Sequence, residues 1–191
     1  MTAKPDKKLQ ILNIADDLLQ RRGFNAFSYQ DIADEMGMRK ASLHYHFPSK
    51  GEMGVALAER HANRALQRLQ AIDENATTSW QHLDAFLNPF IYYIKSCERM
   101  DSSGMLAAEY ATLSDTMQDR VTEYFAINHI WLTRVLHQGR AAGEMYFGAE
   151  PATKADGIIA MLHGAVLVAI TRHNADFIEP LIADIKASLG G

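Results

Sequence analysis

The stretch Met38–Glu52, MRKASLHYHFPSKGE, gathers Arg39, Lys40 and Lys50 with His44, Tyr45, His46 and Phe47, and its first acid is Glu52. Guanidinium, ammonium, imidazole and hydroxyl groups all donate hydrogen bonds, and none of those named brings a negative charge. Such a set is suited to recognising an anion or a surface lined with acceptors. The chain as a whole is acidic, with 19 Lys and Arg against 23 Asp and Glu and a net charge of −4. Residues 1 to 51 nevertheless hold eight bases and six acids, a local +2 that leaves −6 for the remainder. Between Met36 and Gly51 every formal charge is positive. A basic patch at one end of an acidic protein is the pattern expected where that end meets phosphate.

Catalytic chemistry finds little support. There is no G-x-S-x-G, no H-E-x-x-H, no phosphate-binding glycine loop and no G-x-G-x-x-G. His44 and His46, two residues apart, point to different sides of a helix and make a poor metal pair. The single cysteine, Cys97, excludes an internal disulfide and any multi-cysteine metal site, and it suits a reducing compartment. No enzyme, metal or cofactor is expected. The polar start, Thr2 to Lys8, lacks the pattern of a leader. The longest apolar run, GIIAMLHGAVLVAI, is shorter than the ~18 residues of a membrane span and His163 interrupts it. The expectation is a soluble, cytoplasmic protein with no membrane contact.

The elements that must position the donor-rich stretch are helices, because apolar residues recur at helical spacing and nowhere alternate for long. Leu9, Leu12, Ala15 and Leu19 make the stripe of a first helix that stops at Gly23, and Phe24 and Phe27 then turn into a core. In FSYQDI, Ser28 and Asp31 form a capping box and Phe27 staples to Ile32, which starts a second helix at Tyr29 and carries it to Met36 before Gly37. A short third helix fits Lys40–Phe47, halted by Pro48. Ser49 and Glu52 repeat the capping signature and a long fourth helix follows. Helix, glycine turn and short helix make a helix-turn-helix. Leu43 and Phe47, four apart, anchor the third helix, which leaves Lys40, Ala41, Ser42, His44, Tyr45 and His46 outward. A helix of about 10 to 12 Å enters a major groove and shows its N-terminal residues to base edges. Arg39 and Lys40 stand at that end, and Lys50 with the first amides of the fourth helix makes an anion site.

The stretch FSYQDIADEMGMRKASLHYHFPSKGEM resembles the N-terminal domain of the TetR family of transcriptional regulators, over Gly23 to about Val55. The resemblance implies that Tyr29, Gln30, Lys40, Ala41, Ser42, His44, Tyr45, His46 and Lys50 meet a double-stranded DNA operator, and Ser28 beside them is a further candidate contact. Arg39 replaces the usual Ser or Thr cap of the reading helix and adds a cation that reaches the groove, and His44 stands where the family commonly has Tyr. The implied fold is all-α with about nine helices. Residues 1–51 would form the helix-turn-helix domain and 52–191 a domain for ligand binding and dimerisation.

The C-terminal part carries the resemblance in architecture. GRAAGEM at Gly139 matches the usual end of a seventh helix. The last two helices, with Ile158, Ile159, Leu162, Val166 and Ala169 on one and Phe177 to Leu189 on the other, match the pair through which a homodimer would form. Further helices are expected at 80–97, 104–113 and 116–142. The family places an inducer pocket there, and the candidates to line it are Phe90, Tyr93, Cys97, Met105, Tyr110, Tyr124, Trp131 and Met161, with Glu109, a charge inside an apolar helix, to orient a small molecule. SSGMLAAEYATLS also resembles the subgroup responding to electrophiles and small unsaturated acids, but Met105 holds the position of that subgroup's cysteine. The expected function is a repressor released by an inducer. The rival is an architectural DNA binder whose C-terminal part only dimerises.

Overall fold

The computed structural model describes residues 6–97 and 99–191; the polar stretch from Thr2 to Pro5 lies outside them. Nine α-helices occur among the described residues, and no strand. They are α1 (Lys7–Arg22), α2 (Tyr29–Met36), α3 (Lys40–His46), α4 (Lys50–Asn75), α5 (Ser79–Ser96), α6 (Ser102–Ala108), α7 (Asp115–Ala141), α8 (Pro151–Arg172) and α9 (Ile178–Ala187), with a 3-10 turn at Tyr110–Thr112. The chain divides into two compact units, one formed by the chain up to Asn63 with Asp101–Tyr124, the other by Arg64–Met100 with Phe125–Gly191. Helices α4 and α7 each contribute residues to both. The division cuts α4 between Asn63 and Arg64, further along than the boundary expected at residue 51.

In the first unit α1, α2 and α3 surround a core that includes Ile11, Leu18, Leu19, Phe24, Phe27, Ile32, Leu43 and Phe47. Gly23 has φ 89° and ψ 158°, a positive φ that favours glycine though not the left-handed helical geometry, and a Cβ there would overlap the Glu109 carboxylate. The expected helix over 104–113 is two pieces. It starts earlier because Asp101 caps it by accepting from the Gly104 amide at 2.9 Å, and it breaks at Glu109, where φ is −99° and ψ 9°.

In the second unit α5 packs on α8 and α9. Phe86, Leu87, Phe90 and Ile94 of α5 are buried, as are Ile158, Ile159, Leu162, Val166 and Ala169 of α8. That α8 stripe, which the sequence left open between intramolecular core and dimer face, is core of the single chain. Ion pairs Lys95–Glu179 at 3.0 Å and Lys186–Asp84 at 2.5 Å tie α9 to α5. Helix α8 has 22 residues and is long and apolar enough to cross a membrane by length and composition alone, with a mean hydropathy of 1.5 over 18 of its residues. Its buried stripe against α5 gives it a role in the core instead.

Candidate nucleic-acid interface

The reading module starts from local capping. Ser28 Oγ accepts from the Gln30 amide at 3.2 Å, and Asp31 Oδ2 accepts from the Ser28 amide and hydroxyl at 2.7 Å each. The bonds from Ser28 hold the Asp31 carboxyl below its usual range, with Arg22 adding a smaller attraction. Helix α2 ends where Gly37 turns left-handed (φ 61°, ψ 35°) and the Met38 amide donates to Ala33 O at 3.0 Å. This turn lets α3 fold back so that Leu43 and Phe47 are buried.

Helix α3 begins at Arg39, which is extended and makes no side-chain cap bond, as its type implied. Arg39, Lys40, Ala41, Ser42, His44 and Tyr45 are exposed, and so are Ser28 and Gln30 at the start of α2. Tyr45 is 87% exposed. The donors are oriented rather than floppy: His44 Nδ1 lies 3.0 Å from Pro48 O and its ring sits edge-on to Tyr29 at 4.9 Å. Gln30 Nε2 donates to Asp34 at 2.7 Å. His46 is half-buried, its ring 5.3 Å from that of Tyr45, and it faces a cleft shared with Lys8, Phe47, Ser49 and Gly51.

Two candidates turn inward. Tyr29 is only 5% exposed, and its hydroxyl donates to Phe47 O at 2.8 Å. Burial, with the Glu52 carboxylate adding, pushes its phenol up to about 12. The tyrosine therefore pins the end of α3 instead of presenting a hydroxyl to a ligand. Lys50 donates to Phe27 O, its ammonium 4.7 Å from the centre of the Phe24 ring and 4.6 Å from that of Phe27. Burial draws its pKa down, against the pull of Glu109 and Asp31. A cation so occupied is a poor anion site, which corrects the role expected for its side chain. Ser49 Oγ caps α4 by accepting from the Glu52 amide at 3.1 Å.

The residues expected to line a pocket divide between the two units. Phe90 and Trp131 are brought together through Phe86, which stacks on Trp131 at 5.6 Å and meets Phe90 at 5.9 Å, and Trp131 Nε1 donates to Asp73 at 3.0 Å. Tyr93, Cys97 and Met161 are half-buried in the same second unit, Cys97 with a left-handed backbone (φ 50°) and its thiol on Ile94 O at 3.3 Å. Met105, Glu109, Tyr110 and Tyr124 belong to the first unit. Tyr110 is 40% exposed and bonds Thr122 at 3.1 Å, so it lines no interior. Glu109 is also reassigned: its Oε2 accepts from the Asn25 amide at 3.1 Å, so it serves the turn after α1.

Polar groups stand beside the aromatic cluster of the second unit: Arg68 and Asn128, which residue type did not single out, and His163, a sequence candidate with Glu109 for orienting a ligand. Arg68 lies over the Phe86 ring at 5.5 Å and donates to Asn128 Oδ1 at 2.9 Å. His163 sits 5.2 Å from the Phe90 ring and 5.1 Å from that of Phe125. Asn128 was detectable, since it falls three before Trp131 and four before Leu132 on the buried face of α7.

Known proteins resemble the chain in this same module and beyond it. Residues 11–57 match the family model described as bacterial regulatory proteins, tetR family. The transcriptional repressor NemR of Escherichia coli (strain K12) is 25% identical over 190 residues, 95% of this chain and 92% of that one. The crystal structure of a TetR transcriptional regulator from Legionella pneumophila superposes with a TM-score of 0.87 at 28% identity, covering 98% of this chain and 100% of that one. One from Agrobacterium tumefaciens gives 0.90 at 28% identity, covering 96% and 97%.

Proposed function

Because this chain belongs to the TetR family of transcriptional regulators, we propose that it is a cytoplasmic, ligand-responsive repressor that binds a palindromic operator as a homodimer and is released by a small-molecule inducer. The observation that carries this reading is α3, which buries Leu43 and Phe47 and leaves Arg39, Lys40, Ser42, His44 and Tyr45 facing solvent. Cations and hydroxyls on a short helix, backed by a rigid anchor, can reach base edges in a major groove while Ser28 and Gln30 meet the flanking backbone. Residues 1–51 would read DNA and 52–191 would bind ligand and dimerise.

A twofold partner is supported by a second face of α8. Gly157, Ala160, Gly164, Leu167 and Val168 recur at helical spacing and are not covered, with Leu167 48% and Val168 36% exposed. A Cβ added at Gly157 or Gly164 would meet nothing within 4 Å. Small residues flanked by exposed aliphatics let a second helix approach closely. The inducer reading is supported by the aromatic cluster of Phe86, Phe90 and Trp131 beside Arg68, Asn128 and His163, apolar walls with a few polar groups. An inducer acts only by binding one separation of the two readers better than another, and a coupling of ~1 to 3 kcal/mol changes operator affinity roughly 5- to 150-fold.

The test is selection of bound fragments from a random DNA pool, followed by a small-molecule screen for release of the winning site. A repressor enriches one palindrome by ~10³ or more over random sequence, and Lys40→Ala weakens it. An architectural binder enriches none, and that result would sink the proposal.

A further inference from the structure

His44 offers DNA a different chemistry from its neighbours on α3. Its Nδ1 lies 3.0 Å from Pro48 O. A carbonyl oxygen can only accept, so this bond places the hydrogen of the neutral ring on Nδ1. Nε2 is then left with a lone pair and no hydrogen. The ring is also held in place. It meets Tyr29 edge-on with centroids 4.9 Å apart, and Tyr29 is itself buried, its hydroxyl donating to Phe47 O at 2.8 Å. Both fastenings act at the end of α3, where Phe47 leaves the helix with φ −137° and ψ 105°.

His44 is exposed and stands one helical turn beyond Lys40, on the same side of α3. Arg39 and Lys40 are exposed cations that only donate, and the hydroxyls of Ser42 and Tyr45 can donate or accept. A lone pair among them changes what the helix can recognise. Phosphate oxygens are acceptors, as are N7 and O6 of guanine and O4 of thymine, and none of these can bond Nε2 while the ring is neutral. The donors that a major groove presents are the exocyclic amines, N6 of adenine and N4 of cytosine. The family commonly has Tyr at this position, and a phenol can donate to a phosphate; an imidazole fixed in this tautomer cannot.

We propose that His44 is a base-reading acceptor: at one position of each half-site it selects adenine or cytosine over guanine and thymine through the exocyclic amine, instead of holding a phosphate. This rests on the operator-binding function proposed above. The experiment uses the full-length protein. Selection from a random DNA pool at about pH 8, where imidazoles are ordinarily neutral, should show a half-site position at which adenine and cytosine exceed guanine and thymine by about 5-fold or more. Replacing that base by its analogue without the exocyclic amine should weaken wild type by a similar factor. The same replacement should weaken His44→Phe, which keeps a ring against Tyr29 but removes both nitrogens, by less than about 2-fold, the coupling expected of a direct contact. A preference that survives His44→Phe, or a variant that weakens all sequences alike as loss of a phosphate contact would, overturns the proposal and leaves the repressor function standing. Enrichment of no sequence overturns both. Heteronuclear NMR of the free protein decides the tautomer without DNA: Nδ1 of His44 should carry the hydrogen and Nε2 should resonate as a bare, pyridine-type nitrogen. The opposite assignment refutes the proposal even where an operator is found.

Discussion

Tyr29→Phe removes a single oxygen and separates two roles for that residue. The hydroxyl donates to Phe47 O at 2.8 Å on a side chain only 5% exposed. Deleting it costs the net worth of one hydrogen bond and leaves the carbonyl of the residue that closes α3 without this donor, together ~1 to 3 kcal/mol. For a chain of this size a loss of ~2 kcal/mol lowers the melting temperature by roughly 4 to 8 °C. The phenol adds a signature in alkali. Its folded-state value is pushed up to about 12 from 10.0, so the neutral form is favoured by folding. Stability from this group is complete below pH about 10 and drains away as the pH rises toward about 12. Urea melts followed by circular dichroism at pH 7, and at a series of alkaline pH values, should show a lower midpoint for Tyr29→Phe and a shallower alkaline fall than wild type. Operator affinity, measured well below the melt, should change by less than about 3-fold, because the oxygen faces inward. A variant with wild-type stability but a tenfold or greater loss of affinity would refute the buried assignment and return Tyr29 to the DNA.

Tyr45→Ala should behave in the opposite way, with stability within about 0.5 kcal/mol of wild type and operator affinity reduced ~5- to 150-fold in a gel-shift titration, because the ring is exposed and stands among the donors of α3. Lys50→Met should cost ~1 kcal/mol through the lost bond to Phe27 O and the ring contacts, yet leave the salt dependence of binding unchanged. Lys40→Ala should instead shrink the slope of log affinity against log salt by about one. Gly164→Leu, at a helical position open on its own chain, should preserve the fold by circular dichroism and shift the protein from dimer to monomer in sedimentation; a persistent dimer would place the interface elsewhere.

Local features were legible before any coordinates. The capping box of Ser28 and Asp31, the stop at Gly37, the uncapped Arg39 and the burial of Leu43 and Phe47 at one helical spacing involve residues a few positions apart. Helix bounds followed, with α2 matching to the residue, because periodicity and caps act within one turn or two. The pocket candidates fared less well. Residue type marks Phe90 and Trp131 as buried but equally suggested Tyr110, whose ring ends at the surface beside Thr122.

The sequence by itself determined that helices form here, where α2 and α3 start, and that one short helix presents donors from an anchored face. Tertiary structure alone decided where the long polar side chains point. Tyr29, Lys50, Glu109 and Asp16 find partners 18, 23, 84 and 86 residues away along the chain. A flexible charged or phenolic group can reach solvent or a buried acceptor at similar local cost, so the choice falls to whichever carbonyl, amide or hydroxyl distant packing brings within reach.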